Sequence, residues 1–257
     1  MNLLAVAYRP AVANFLIDSL PLRERNEILA QCKTVNLSFG DVLCDTQQPI
    51  TQVLFPLTGI ISLLAATKDH PAMELGMIGN EGIFGATVAL GSWISPLRAI
   101  VQGPGTALQI DPENFQNILL SCPQLARTIN TYLYVLISQL SFSVSCTQFH
   151  SVELRLARWL LMTHDRAHAN HFRLTHQFLA DMLGVRRSAI TIAAGALQKR
   201  KLITYSRGDI HVVSRSGLET ASCECYAKSV QSNADLPGRT KKSRADNSRP
   251  GIGWQNH

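Results

Sequence analysis

THQFLADMLGVRRSAITIAAGALQKRKL, residues Thr175 to Leu202, decides how the rest of this chain is read. Ala180, Gly184 and Ile190 fall four and six residues apart, with Leu179, Leu183 and Val185 filling in around them. A small residue lets two helices approach, a glycine turns the chain between them, and an aliphatic in the second helix closes a small core. That pattern predicts a helix-turn-helix. Thr175 is a good N-cap for the first helix, although the residue three places on is Phe178 and not the Glu or Gln of a capping box. The second helix is predicted from about Arg186 to Lys199, with Ile190, Ala193, Ala194 and Leu197 inward and Arg187, Ser188, Thr191 and Gln198 outward. Arg and hydroxyls at a helix N-terminus suit the major groove of DNA, where Arg pairs with guanine and hydroxyls adapt to either base. On spacing alone, a plain helical hairpin in an all-α core fits as well.

The residues that follow separate the two. LITYSRGDIHVV, Leu202 to Val213, alternates Tyr, Ile and Val with polar residues on both sides of Arg207-Gly208, which predicts two short strands and a tight turn. A helix-turn-helix followed at once by a hairpin is a winged helix. Its tip would carry Arg207 toward a phosphate.

Charge is distributed to match. Residues 1–150 hold 7 Lys and Arg against 10 Asp and Glu, residues 151–230 hold 12 against 6, and residues 231–257 hold 5 against 2. The excess behind the net charge of +6 therefore sits in the winged-helix segment and the tail, as a phosphate-binding surface requires. At 257 residues, with 46% hydrophobic and 16% charged, the chain can bury two cores. No apolar run is long enough to span a bilayer, and MNLLAVAYRPAVANFL lacks the basic region and apolar core of a secretory signal. A cytoplasmic protein with no membrane partner is expected.

The organisation changes along the chain. Residues 10–33 read as short helices, with Pro21 at one start. From Thr34 to Ile110, short β-rich runs (TVNLS, QVLFPL, IISLLAAT, MELGMI, RAIVQ, TALQI) alternate with turns such as Phe39-Gly40-Asp41, Asp69-His70-Pro71 and Gly79-Asn80-Glu81-Gly82. That predicts a β-sandwich or jelly-roll barrel. Asp111-Pro112 then caps a helix to Leu120. Pro123 opens a long helical pattern with a break near Phe149-His150-Ser151, after which a second helix runs from Val152 to Arg166. Leu125, Ile129, Leu133, Leu136, Leu140 and Val144 form an apolar stripe of coiled-coil type along the first, and its other face (Tyr132, Tyr134, Val135, Ile137, Phe142) is not especially polar. The helix is therefore expected to meet the barrel on one side and its twin in a two-fold homodimer on another, or to be taken entirely by the core of a monomer. LETASCECYAKSV reads as a short terminal helix, and residues 231–257 as a disordered basic tail whose Lys241, Lys242 and Arg244 solvate it or add weak DNA affinity. The expected fold class is α+β. It comprises a barrel with flanking helices over residues 1–122, a dimerisation helix over 123–149, a winged helix over 150–230 and the tail.

No residue pattern announces a cofactor or a metal. Cys32, Cys44, Cys122, Cys146, Cys223 and Cys225 are scattered, and Cys223-Glu-Cys225 alone is half a metal site, so free thiols are expected. His164 and His168 share a helix face but lack a partner at ligand spacing. There is also no glycine-rich phosphate loop, no nucleophile with a placed base and no paired carboxylates, so an enzyme is not expected.

The order of barrel, long helix, winged helix and Cys-Glu-Cys-Tyr segment resembles the CRP/FNR family of bacterial transcription factors. The resemblance runs from Leu16 to Val230, strongest over Leu174–Val213 and moderate over Gly79–Gln102. It implies base reading by Arg187, Ser188 and Ile192, with Thr191 between them, and phosphate contacts from Thr175, Gln177 and Arg186. Ser188 stands where many relatives have Glu and Ile192 where several have Arg, so the preferred DNA sequence should differ, and Ile192 is suited to packing or to a thymine methyl. The family's cyclic-nucleotide site aligns with GNEGIFGATVALGSWISPLRAIVQ. Gly85 is kept, but Ala86 replaces the ribose-binding Glu, Leu97 the phosphate-binding Arg, and Arg98 the neighbouring hydroxyl. The resemblance thus implies a homodimeric DNA-binding regulator that does not take cyclic AMP in the usual way, with a barrel serving as a degenerate sensor or a surface for RNA polymerase. The rival expectation is a ligand-binding or interaction module whose winged helix docks a protein.

Overall fold

Asn14 is the first of the residues described in the computed structural model, which are 14–67 and 70–237. Its Oδ1 accepts from Leu16 N and Ile17 N, starting α1 (Phe15–Asp18), and its Nδ2 donates to the Pro56 and Gly82 carbonyls, both at 3.0 Å. With each of its groups engaged, this fully buried amide carries little desolvation penalty. α2 (Leu22–Gln31) follows directly behind Pro21.

Seven strands come next: β1 (Lys33–Leu37), β2 (Val42–Cys44), β3 (Val53–Pro56), β4 (Ile60–Thr67), β5 (His70–Ile78), β6 (Arg98–Gly103) and β7 (Gly105–Ile110). They pair antiparallel in two sheets, β1-β7-β3 and β2-β6-β4-β5. Phe55, Ala107 and Ile110 from one sheet and Ile61, Ala99 and Val101 from the other fill a shared core. This is the expected barrel, with two differences. β2 was not anticipated, because three residues are too few to show a period. β5 begins at His70, inside the segment expected to turn; Asp69 of that segment lies outside the described residues.

α3 (Pro112–Ser121) starts where Asp111 Oδ1 accepts from Glu113 N at 2.9 Å. α4 (Pro123–Phe149) has no local side-chain cap. Its free N–H groups are met from about a hundred residues away, as Leu125 N donates to Glu24 Oε2 at 2.9 Å and Gln124 N to Glu24 Oε1 at 3.3 Å. A carboxylate at a helix N-terminus also opposes the positive end of the helix dipole. Leu125, Ile129 and Leu133 pack into the barrel core. The face of α4 left open carries Tyr134 and Ile137 of the second apolar face, together with Val144 at the end of the stripe.

α5 (Val152–Ala167), β8 (His171–Arg173), α6 (His176–Leu183), α7 (Arg187–Lys199), β9 (Ile203–Ser206) and β10 (Asp209–Val212) complete the winged helix, with β10 central in the sheet β8-β10-β9. Its core is not private. Ile60, Leu64 and Met77 of β4 and β5 belong to the same cluster as Leu160, Leu179, Ile190 and Leu197. The terminal segment forms two helices, α8 (Arg215–Ala221) and α9 (Glu224–Ala234), rather than one. α9 also carries order past residue 231, where a disordered tail was expected. Gln139 Nε2 on α4 donates to Asn233 Oδ1 at 2.8 Å, and Leu236 is fully buried in the barrel core. Lys241, Lys242 and Arg244 lie outside the described residues. Among the described residues, no helix is long and apolar enough to cross a membrane.

Candidate nucleic-acid interface

Thr175 caps α6 as its sequence position predicts: Oγ1 accepts from Phe178 N at 3.1 Å. The helix stops at Gly184, whose φ of +63° is the left-handed conformation that glycine adopts without steric cost, and Val185 N turns back to Ala180 O at 2.9 Å. Arg155 on α5 donates to the Leu183 carbonyl, placing a cation at the negative end of α6. Gly184 is required for a second reason, since a Cβ there would lie 2.7 Å from Met73 Sδ on β5. The turn of the motif is thus seated on the barrel.

α7 begins at Arg187, with Arg186 as its N-cap residue, and buries Ile190, Ala193, Ala194 and Leu197. These are the four residues the helical period assigns inward. Arg186, Arg187, Ser188 and Thr191 are exposed, and Ile192 is 74% exposed. Thr175, Gln177 and Arg207 are exposed as well. Arg207 occupies the tip of the β9–β10 hairpin with φ +50°, followed by Gly208 at +90°, the geometry of a tight hairpin turn. Leu174 N donates to Gly208 O at 2.7 Å, tying that tip to the start of the helix-turn-helix.

Three of the expected site side chains are already engaged. Thr175 is the N-cap, Gln177 Nε2 donates to Asp181 Oδ1 at 2.8 Å, and Thr191 Oγ1 donates to Arg187 O at 3.2 Å. Gln198, which the period leaves outward, accepts from Tyr205 N at 3.1 Å and so fixes the wing to the end of α7. His176 was not anticipated. It stacks on Tyr205 with ring centroids 4.1 Å apart, and its Nδ1 lies 3.0 Å from Thr191 Oγ1. Burial and the charge of Arg187 hold the His176 pKa below its ordinary value, favouring the neutral ring. No spacing rule signals such a residue; only the packed wing brings it to the helix.

The histidines of α5 do not pair. His164 Nε2 meets Asn170 Oδ1 at 2.6 Å and its Nδ1 meets Arg215 at 2.8 Å, whereas His168 is the C-cap residue of the helix. In the barrel, Ala86 is buried at the start of a 3₁₀ turn (Ala86–Leu90), Leu97 packs against the core, and Arg98 turns outward to Asp45 at 3.5 Å. Ala86 brings no carboxylate and Leu97 no cation.

A helix-turn-helix with a β wing thus stands behind an antiparallel barrel and a long helix. Residues 154–221 match the family model of the Crp-like helix-turn-helix domain. No curated protein is similar enough in sequence to stand as a relative. Among solved structures, a protein assigned to the CRP/FNR transcriptional regulators from Eubacterium rectale is 18% identical, with a TM-score of 0.65 over 81% of this chain and 98% of its own. FixK2 from Bradyrhizobium japonicum is 14% identical with a TM-score of 0.64, covering 75% of this chain and 98% of its own. The c-di-GMP responsive global regulator CLP of Xanthomonas campestris is 17% identical with a TM-score of 0.63, covering 75% and 99%. This chain carries a Crp-like helix-turn-helix domain and has the CRP/FNR transcription-regulator fold.

Proposed function

We propose that the protein is a homodimeric, sequence-specific DNA-binding transcription regulator acting in the cytoplasm, with α7 in the major groove and the Arg207 tip on a flanking phosphate. The observation that carries this is the open basic end of α7, where Arg186, Arg187 and Ser188 are exposed beside a wing rather than walled in. Arg187 and Ser188 read bases together with Ile192, whose bare aliphatic side chain suits a thymine methyl; Thr191 stands between them. Thr175, Gln177 and Arg186 meet the backbone. The barrel serves as a sensor or as a contact for RNA polymerase, and it does not take cyclic AMP in the usual way, because a buried phosphate there would lack its cation.

Selection of bound sites from random duplexes comes first, followed by binding at several salt concentrations. Arg187→Ala should cost about 1–3 kcal/mol on the selected site and relax preference at one base pair. Arg207→Ala should weaken selected and random DNA alike and make the salt dependence shallower. Equal losses on both kinds of DNA for Arg187→Ala would remove it as a base reader. Absence of any DNA binding at low salt would favour docking to a protein instead.

Dimerisation is supported by the outward face of α4, where Tyr134, Ile137 and Val144 are 68%, 63% and 62% exposed at helical spacing. Two such helices related by a two-fold axis would cover each other's apolar stripes and set two half-sites about one helical turn apart. Ile137→Asp should therefore give a folded monomer in sedimentation that loses binding to the full site. A variant that stays dimeric would move the interface elsewhere.

A further inference from the structure

The break between α4 and α5 brings together four groups that the sequence keeps far apart. Cys146 and His150 lie one turn apart at the end of α4; Cys223 and Cys225 flank the start of α9, 77 residues further on. One ligand atom from each falls within 4.8 Å of all the others, the one such group among the described residues. Cys146 Sγ is 3.5 Å from Cys223 Sγ, and Cys225 Sγ is 3.7 Å from His150 Nδ1. We propose that Cys146, His150, Cys223 and Cys225 form a mononuclear Zn²⁺ site that clamps the last helix to the end of α4.

Geometry argues for a single ion. Bonds of about 2.3 Å to sulfur and about 2.0–2.1 Å to nitrogen put tetrahedral ligand atoms roughly 3.5–3.8 Å apart, a range that holds both the Cys146–Cys223 and the Cys225–His150 separations. Thiolates that hold a cuboidal iron–sulfur cluster stand around its corners and need wider spacing. Three sulfurs and one imidazole are a zinc donor set, and four protein ligands leave no open position, as in structural rather than catalytic sites.

The surroundings supply what such a site needs. His150 Nε2 lies 3.2 Å from Glu224 Oε2, so an Nε2–H can donate to the carboxylate and leave the Nδ1 lone pair facing the sulfurs. The three thiols are 2–5% exposed, and Phe142 and Leu154 pack against them. One divalent ion with three thiolates keeps a net charge of −1. Arg158, whose charge reaches all three cysteines, offsets it; its Nε is buried without a hydrogen-bond partner. Binding exchanges three thiol protons for the ion and involves no redox step. The site stands whether or not α7 enters DNA, because none of its ligands lies on the helix-turn-helix.

Zinc content of the full chain purified under reducing conditions, and titration of the metal-free chain with Co²⁺, test the proposal. One zinc per chain and an intense thiolate-to-cobalt absorption with tetrahedral bands are expected. Both should be lost in Cys223→Ser and kept in Cys44→Ser and Cys122→Ser. His150→Cys should retain the ion as a four-thiolate site, a check that holds even if the serine variant misfolds. Glu224→Gln should weaken affinity by about 10–100-fold while leaving the stoichiometry at one. A chain that is folded by circular dichroism yet holds no zinc and gives no cobalt absorption overturns the proposal. So does a Cys146–Cys223 disulfide in that reduced preparation.

Discussion

Arg166→Leu should destabilise the folded chain by roughly 3–5 kcal/mol, the cost of leaving one partner of a buried ion pair alone. Arg166 lies in the last turn of α5, and Glu81 sits in the Gly79–Gly82 turn of the barrel; their side chains are 5% and 4% exposed. Arg166 Nε and Nη2 lie 2.8 and 2.7 Å from the same Glu81 oxygen, and Nη1 donates to Met162 O at 3.1 Å. The pair joins the barrel to the winged helix. Gly79 of the turn makes room for it, since a Cβ there would fall 2.6 Å from Glu81 Oε2 and 2.9 Å from Arg166 Cγ. With leucine in place of Arg166, the Glu81 carboxylate stays enclosed and uncompensated. In a protein of this size the loss corresponds to a fall in Tm of about 6–20 °C. The double change Glu81→Leu with Arg166→Leu should recover much of it, because two apolar side chains remove both desolvation costs. Urea unfolding of the two single variants and the double one closes the cycle. A single-variant loss below about 1 kcal/mol would mean that water reaches the pair.

How much of this was legible in advance follows from the range over which each signal acts. IISLLAAT reads as a strand and is one, residue for residue, because β-branched and aliphatic residues between turn signals act locally. The inner face of α7 is equally local, set by a 3.6-residue period. The capping of α4 by Glu24 could not be read, as nothing local at residue 24 names a partner a hundred positions away. Which face of α4 stays open could not be read for a related reason. Apolar residues on two faces of one helix do not say which face meets the chain's own barrel, and Leu125, Ile129 and Leu133 proved to be that face. The tail was begun too early because polar composition outweighed the two residues, Asn233 and Leu236, that anchor α9 to the core. Cys146 and His150 were read only as a lone cysteine and a helix break. A pair of ligands on one helix turn and a second pair 77 residues later become a site only when the fold joins them.

Glu74→Gln should make the protein more stable above neutral pH and flatten its response to pH, because burial raises the pKa of the Glu74 carboxyl and its ionisation then costs stability. It projects from β5 between Ser62 and Trp159, whose Nε1 donates to Oε1 at 3.0 Å. Hydrogen counting points to a proton on the carboxyl. Ser62 Oγ lies 2.6 Å from Glu74 Oε2 and 2.7 Å from Gln102 Oε1, and one hydroxyl hydrogen cannot serve both acceptors. If Ser62 donates to Gln102, the short contact to Glu74 needs a hydrogen from Glu74 itself. Burial drives the same result, raising its pKa to about 7 against the opposing pull of Ser62, Arg166, Trp159 and Arg158. The sign follows from proton binding. Between about pH 4.5 and 7 the folded chain holds a proton that the unfolded chain has released, so stability from this group is complete below that window and falls as pH rises through it. The whole effect is up to about 3 kcal/mol, a ceiling because the residue keeps some exposure. Glutamine reproduces the protonated form, with Nε2 donating to Ser62 Oγ and Oε1 accepting from Trp159. Urea midpoints across pH 4–8 should therefore drop for the native chain relative to Glu74→Gln, the two curves meeting near pH 4 and separating toward pH 8. Parallel curves, or a glutamine variant weaker at pH 8, would show that the carboxylate is ionised and held by Arg158 and Arg166 instead.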